Sequence, residues 1–537
     1  MTTYERTLRA SAPDARGYRR LAPAPGEAHL DRQGRGALIG DEEVLVTIAQ
    51  LSDLHVCDAQ SPARAELLDR WADPDSPIGD VIGEVGTYRA QEMLTTQVVE
   101  AMVRALNDVR RGPLAGAPVD AALVTGDNTD NMQANELGWY LTLLDGGEVS
   151  PDSGDPTRWE GVAAGTNDDD RYWHPDRERS DLPRSRYGFP VVPGLLDAAR
   201  ETFRATGLDH PWLAVHGNHD RLLQGTLPSA SWWARIATGS RHVAALWPDV
   251  TPQEVLELVA GLDACEPEAL ERLARGRTVS VTPDRARRAT SREEFVAAHD
   301  HPAARPPRHG FAVDGRLYYR HDLAGVRLLV MDTVNPSGGW QGSVDREQFG
   351  WLSAELGRAD AERAYVVLAS HHPLDTWIND RGDPTRVLAP EMTALLAGHP
   401  SVVLWLNGHT HRAEIQARDG WWEVTCPSLI DWPQQGRIVE MLRGDGVLRI
   451  GCTMVDHGGD APWSGSIAGP AALAGLSREL AANDWQADRP DHREHPPAGR
   501  AHDRNVVLTL PDPWPDPPPP GLLTPVVRRT HNSSHGE

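Results

Sequence analysis

Short apolar, β-branched runs that each end in polar residues alternate along this chain with longer segments of helical apolar spacing. The first run, VLVTIAQLSD from Val44, is continuous enough for a strand buried on both faces. After a loop over 58–86 with Pro, Asp and Gly, TYRAQEMLTTQVVEAMVRALNDVRRG sets Leu94, Val98 and Met102, with Val99, Val103 and Leu106, on one helical face. That helix is expected to end near Gly112. DAALVTGD (120–127) reads as a second strand, and strand, helix, strand implies a right-handed parallel crossover and the α/β class. WLAVHGNHD (212–220), RLYYRHDL, VRLLVMDT, AYVVLASHHP and SVVLWLNGHTH continue the strand pattern, with REQFGWLSAEL as a helix between VRLLVMDT and AYVVLASHHP. A second sheet region is expected there.

Between these elements the pattern changes character. Residues 1–40 are polar and rich in Pro, Gly and Arg, and read as an N-terminal extension to a main domain over 41–455. Residues 145–190 are acidic and dense in turn formers, which suggests a surface insertion with little regular structure. From about 221 to 310 the pattern is helical, as in TPQEVLELVAGL, and reads as an insertion that serves as a cap over a site. Residues 456–537 form an Ala-rich C-terminal extension with one short helix, and the polyproline-like DPWPDPPPPG opens a stretch expected to be disordered.

Composition narrows the partners. The 537 residues are 40% hydrophobic and 24% charged, as in a soluble folded protein. Against 77 Asp and Glu stand 53 basic residues, a net charge of −24, which disfavours nucleic acid and anionic membranes as partners. Every basic residue is Arg, a usage expected of a GC-rich bacterial genome. Cys57, Cys265, Cys426 and Cys452 make no CxxC pair and read as free thiols of a reducing compartment. With no signal-peptide h-region after Arg19-Arg20 and no run of 18 apolar residues, the expectation is a cytoplasmic protein without a membrane span.

The polar ends of the strands carry the chemistry. SDLH offers Asp53 and His55, TGDNTDN Asp127, HGNHD Asn218 and His219, SHHP His371, and NGHTH His409 and His411. Active sites of α/β folds sit at such strand ends. Residues i and i+2 of an extended segment point the same way, so Asp53 with His55, and His409 with His411, reach one locus in pairs. Gly126, Gly217 and Gly408, just before these groups, allow the tight turns and positive φ needed there. A single DxH or HxH is an ordinary surface feature; five such ends in order are not.

The set DxH, GDxxD, GNHD, HxP and GHxH resembles the calcineurin-like metallophosphoesterase superfamily. Here it stands as Asp53-Leu54-His55, Gly126-Asp127-Asn128-Thr129-Asp130, Gly217-Asn218-His219-Asp220, His371-His372-Pro373 and Gly408-His409-Thr410-His411. The resemblance covers about residues 44–415. It implies a four-layer α/β/β/α sandwich around two metal ions, divalent or mixed-valence, with Mn, Fe, Zn or Co all compatible with oxygen and imidazole ligands. By motif, Asp53, His55 and His411 would hold the first ion, Asn218, His371 and His409 the second, and Asp127 would bridge them. The implied reaction is attack of a bridging hydroxide on a phosphodiester or phosphomonoester of a small molecule, with His219 binding phosphate and assisting the leaving group. Two ions, two carboxylates and a hydroxide leave a local charge of about +1, which attracts phosphate despite the acidic chain. Asp130 stands where purple acid phosphatases carry a tyrosine ligand, and the GDxxD form is closer to bacterial phosphodiesterases, which places diester slightly ahead of monoester. The alternatives are a nuclease of the same superfamily and a non-catalytic metal-binding scaffold.

Other residues have simpler readings. His216 and His372 are expected outside the ligand set, Cys57 as a small buried thiol, and Asp58 and Asp130 as groups that orient ligands. The histidines at 492, 495, 502, 531 and 535 read as a solvated tail, and the Asn532-Ser533-Ser534 sequon has no consequence without export. Trp232-Trp233 and Trp421-Trp422 are expected in packing. CPSLIDWPQQGR (426–437) is expected to line the pocket with Arg437 touching phosphate, and Arg89, Trp173, His309 and Tyr319 are further pocket candidates.

Overall fold

The computed structural model describes residues 1–33, 42–73, 76–82, 88–177, 180–228, 231–382, 385–485 and 490–514. After an antiparallel pair, β1 (Arg6–Ala10) and β2 (Leu21–Pro25), come β3 (Leu30–Asp31), β4 (Glu43–Leu51) and β5 (Ala121–Val124). A small pair of β6 (Gly147–Val149) and β7 (Phe203–Ala205) precedes β8 (Trp212–Ala214), and β9 (Arg241–Ala245) pairs with β10 (Arg277–Ser280) inside the 221–310 segment. Next are β11 (Tyr319–Leu323), β12 (Val326–Val330), β13 (Tyr365–Ala369), β14 (Val402–Asn407), β15 (Glu414–Ala417) and β16 (Trp422–Thr425). The strands end with β17 (Gln435–Gly444), β18 (Val447–Asp456) and β19 (Val506–Pro511).

Two sheets carry the architecture. One has the order β3-β19-β18-β17-β4-β5-β8, the other β11-β12-β13-β14-β16-β15. In the first, β4, β5 and β8 run parallel, as the strand, helix, strand reading requires. In the second, β12, β13, β14 and β16 are parallel with an antiparallel strand at each edge. The period-2 alternation of side chains sorts β12 onto two faces. Val326, Leu328 and Val330 share a core cluster with Ile48, Val124 and Ile438 of the other sheet, whereas Leu329 packs with Leu352 and Leu356 of the helix Arg346–Glu362. The helix Thr95–Asp108 contributes Val98, Met102 and Leu106 to the shared cluster. The fold is an α/β sandwich.

The helix ends at Asp108, short of Gly112, because the chain turns back there: Arg111 bridges Pro118, and Gly112 N–H donates to the Ala117 carbonyl. The seven-stranded sheet also reaches outside residues 41–455. β19 pairs along β18, and β3 adds to β19, so parts of both extensions are sheet strands. Their alternation was masked in sequence by the shortness of β3 and the Pro-rich residues beyond β19. Residues 145–190 have little regular structure, as expected, yet they are not merely surface: Val162, Tyr172, Trp173 and Phe189 form a second core with Leu476 and Leu480 of the helix Pro470–Ala481. The 221–310 segment packs Leu223, Trp233, Val255, Leu258 and Leu262 against Leu67, Trp71 and Met132. The expected disorder of the last 25 or so residues falls almost wholly outside the described residues. Among the described residues no helix is long and apolar enough to cross a membrane.

Candidate metal centre

The turns that follow β4, β5, β8, β13 and β14 meet at one place. Asp53, His55 and His411 offer ligand atoms within 4.8 Å of one another, as do Asp53, Asp127 and His371, and His55, Asp127 and His219. Asp127 lies between the two halves, with Oδ2 3.1 Å from His371 Nε2 and 3.7 Å from His55 Nε2. Asn218 Nδ2 donates to the Gly225 carbonyl at 2.9 Å, which leaves its buried Oδ1 without a partner. His409 groups with His371 and His372. All eight residues singled out in the sequence thus gather in one region.

The backbone is bent to bring them there. Asp53, His55, Asp127, His409 and His411 all have left-handed φ, between 42° and 72°. Such conformations cost of order 1–3 kcal/mol each in non-glycine residues and persist where surrounding structure enforces them. Of the three glycines expected to supply positive φ, only Gly126 does so. Gly217 and Gly408 serve close approach instead: a Cβ on Gly217 would overlap the backbone and carboxylate of Asp127, and one on Gly408 would overlap Ser52 and Asp53. Asp220 fixes the same turns from below, accepting from the backbone N–H of Asn128, Thr129 and Gly217 at 2.9–3.0 Å.

Outer groups set which imidazole nitrogen faces inward. His55 Nδ1 donates to Asp130 Oδ1 at 3.0 Å, and His411 Nδ1 donates to Asp431 Oδ2 at 2.6 Å. Their Nε2 atoms then face each other 3.1 Å apart, an arrangement that needs a proton or a cation between two lone pairs. His371 Nδ1 donates to the Thr125 carbonyl at 2.9 Å, so its buried Nε2 is likewise the nitrogen that faces inward, towards Asp127. Asp130 is held by the Arg64 guanidinium, which also pairs with Glu92 at 2.8 Å. Arg89 grips both oxygens of Asp431.

The electrostatics ask for positive charge. Burial opposes charge on His371 and His411, but Asp127 lifts the first to about 9, and Asp431 with Asp53 lifts the second to about 10. Asp127, despite burial, is held well below the usual carboxylate range by His371 and His219. Orphaned Asn218 Oδ1, inward-facing Nε2 atoms and carboxylates that hold protons on neighbouring imidazoles together fit a site for cations.

Several readings change. Arg437 is fully buried and donates to the carbonyls of Thr425, Asp503 and Arg504, so it does not reach a phosphate. Asp58 does not orient a ligand; it accepts from Asn135 and Ser153 and pairs with Arg287. Trp173 belongs to the second core, Tyr319 donates to the Ala214 carbonyl, and His309 sits with Asp145 elsewhere. Both ring nitrogens of His372 are engaged, by Thr333 and the Trp340 carbonyl, in keeping with its place outside the ligand set. Cys57 is a buried thiol that Arg64 contacts, and Trp421 and Trp422 are buried. Asp431 was missed. It lies six residues before Arg437 in the segment already expected near the pocket, but which acid would meet His411 is a matter of tertiary packing.

Residues 191–413 match the family model of the calcineurin-like phosphoesterases. The matched stretch is 223 of the 537 residues. The match spans the turns of Asn218, His371 and His409, while Asp53, His55 and Asp127, which lie before it in sequence, join the same cluster in space. The coarse activity of a calcineurin-like phosphoesterase is metal-dependent hydrolysis of phosphoric esters. No curated protein matches the chain. Among solved structures it is similar to a dimetal phosphatase from Danio rerio, at 12% identity over 77% of this chain and 99% of the other, with a TM-score of 0.35. It is similar also to GAP50, the anchor in the inner membrane complex of Plasmodium, at 10% identity over 79% of this chain and 87% of the other, with a TM-score of 0.29.

Proposed function

We propose that the protein hydrolyses a phosphate ester of a small organic molecule, diester ahead of monoester, with two metal ions. Asp53, His55 and His411 would hold one ion and Asn218, His371 and His409 the other, with Asp127 between them. When bound, the ions supply Lewis-acid activation of the phosphoryl group and of the attacking water. The observation that carries the reading is the convergence of these seven side chains, with Asn218 Oδ1 buried and unpartnered and His371 Nε2 turned onto Asp127 Oδ2 at 3.1 Å.

His219 is the residue of this chain placed to handle the leaving group. Its Nδ1 donates to the Asp130 carbonyl at 2.6 Å and its backbone N–H to Asp127 Oδ1 at 2.8 Å, which fixes the ring beside the Asp127 carboxylate. With Nδ1 committed, Nε2 is the atom that holds or releases a proton to the leaving oxygen. Gly225, at φ 64°, backs the ring so closely that a Cβ would overlap it.

Charge favours a monoanionic diester. Two arginines beside the ligand shell, Arg64 and Arg89, are tied to Asp130 and Asp431, so they offer less compensating charge to a dianionic monoester. Trp340, half exposed and stacked on His409 with ring centroids 5.7 Å apart, suits an ester with a flat group. The catalytic unit we propose runs over 41–455, with β3 and β19 completing its sheet, and its place is the cytoplasm, where Cys57, Cys426 and Cys452 stay reduced and buried. The partner is a small phosphate ester, with neither nucleic acid nor membrane as a ligand.

The test is hydrolysis of bis-p-nitrophenyl phosphate against p-nitrophenyl phosphate after Mn²⁺ loading. Turnover of the diester should exceed that of the monoester, vanish in Asp127→Ala, and fall by roughly 10²–10⁴ in His219→Ala. Bound metal with no turnover of either ester would return the reading to a scaffold.

A further inference from the structure

A second group of metal-competent side chains lies apart from this centre. Asp145 closes the helix Ala134–Asp145, and His301 and His309 come from the loop that ends the 221–310 segment. Their ligand atoms all lie within 4.8 Å of one another. His301 Nε2 is 3.0 Å from Asp145 Oδ2, and His309 Nε2 is 3.2 Å from Asp145 Oδ1. The edges of a tetrahedron of ligands around zinc, with bonds of 2.0–2.1 Å, are about 3.3 Å long.

Hydrogen bonding accounts for part of the cluster only: His309 Nε2 donates to Asp145 Oδ1 at 3.2 Å, and three further atoms of the cluster are left over. Asp145 Oδ2 and His301 Nε2 are 3.0 Å apart, yet both are buried atoms without a hydrogen-bond partner, as is His309 Nδ1. The two are in ion-pair contact but not aligned as a hydrogen bond, an orientation that a shared cation satisfies. Asp145 Oδ1 accepts from the Trp212 indole N–H at 2.9 Å and from His309 Nε2 at 3.2 Å, and Trp212 stacks on His309 at 3.5 Å between ring centroids. Arg308 and His309 take consecutive left-handed conformations, φ 55° and 46°, to present the imidazole there. A cavity of about 300 Å³, lined by Asp145, His210, Trp212 and Arg305, opens beside the carboxylate, and His210 Nε2 in it is also buried and unpartnered.

We propose that Asp145, His301 and His309 form a structural site for a divalent transition metal, zinc by its preference for imidazole and carboxylate in low coordination number. The cavity leaves room for water as the remaining ligand. The ion joins the end of one helix to the loop that closes the 221–310 segment. Both bear on the start of β8, at the opposite end of that strand from the turn that carries Asn218 and His219.

The full chain, stripped with a chelator and equilibrated with excess Zn²⁺, tests this by the zinc retained per chain after gel filtration. His301→Ala, whose side chain is partly exposed, should retain one equivalent less than the unaltered protein, and its circular dichroism should be unchanged. Asp127→Ala, altered at the other centre, should keep that equivalent, and a double variant should lose both contributions. Cobalt substitution gives a second readout: the visible absorption of four-coordinate Co²⁺ should fall in His301→Ala and in His309→Gln. Equal zinc in the unaltered protein and His301→Ala would overturn the site, whatever becomes of the phosphoesterase reading.

Discussion

Asp431 accepts a hydrogen bond from Nδ1 of His411 at 2.6 Å, and Arg89 holds both carboxylate oxygens from the other side. The carboxylate thereby fixes the tautomer and the ring plane of an imidazole whose Nε2 faces His55. Partners of this kind, placed behind a metal-binding histidine, typically carry 10–100-fold in metal affinity. Asp431→Ala should weaken binding of one of two Mn²⁺ ions by roughly that factor, as measured by competition with a fluorescent chelator. Asp431→Asn, which keeps an acceptor, should lose less. Unchanged affinity in both variants would remove Asp431 from the site.

Asp220 is a structural counterpart on the other side. Its carboxylate accepts from three backbone N–H groups, from Asn128 Nδ2 at 2.8 Å and from Thr129 Oγ1 at 3.1 Å, all in buried surroundings. Each donor left unsatisfied costs about 1–3 kcal/mol. Asp220→Ala should therefore destabilise the protein by at least ~3 kcal/mol in urea denaturation, whether or not metal is added first. A loss below 1 kcal/mol would mean that water replaces the carboxylate and that the turns hold themselves.

The residues of the centre were legible in sequence because each sits in a local pattern, an apolar strand followed by Asp, Asn or His at fixed spacing, as at Asp53 and His55 or His409 and His411. Of the residues behind them Asp130, inside the GDxxD motif, was legible and meets His55, but Asp431 was not, because nothing local distinguishes Asp431, which meets His411, from Asp58, which meets Arg287. Arg437 misled for a related reason. A single Arg near a phosphate motif reads as a contact, but it lies in the interior of β17, where the carbonyls of Thr425, Asp503 and Arg504 absorb its donors. The glycines before the ligands were correctly placed but misread at two of three positions, since the close approach of neighbouring atoms rather than positive φ excludes a Cβ at Gly217 and Gly408. The sheet's edge strand β3 is two residues long, too short for any periodicity to show.

Trp340 sits in the Gly-rich stretch SGGWQGS, where its exposure in sequence terms is unremarked beside the tryptophan pairs. Its ring lies at 25° to that of His409, and half its surface is open. Trp340→Ala should raise KM for an aryl phosphodiester roughly 2–10-fold with little change in kcat, because stacking acts in the bound substrate and the transition state alike. An alkyl diester should show no such change. Equal effects on aryl and alkyl esters would assign Trp340 to the packing of His372 and His409 instead.

His457, which is not among the candidate ligands, makes stability depend on pH. It is fully buried, its Nε2 donates to Gln434 Oε1 at 3.2 Å, and its Nδ1 accepts from the Gly459 N–H at 3.0 Å, so the neutral ring satisfies both neighbours. Burial, with the positive charges of Arg478 and the N-terminal amine, holds its pKa well below the ordinary value of 6.5. The unfolded chain takes up a proton below pH 6.5 that the folded chain refuses, so the stability this group contributes is present above that pH and is lost as pH falls towards its folded pKa. The loss for one such proton is about 1.4 kcal/mol per pH unit. In urea titrations between pH 6.5 and 5, His457→Gln should show a shallower decline than the unaltered protein by about that slope, even if it is less stable at pH 8. Identical slopes would mean that His457 is protonated in the fold and that Gln434 and Gly459 rearrange around it.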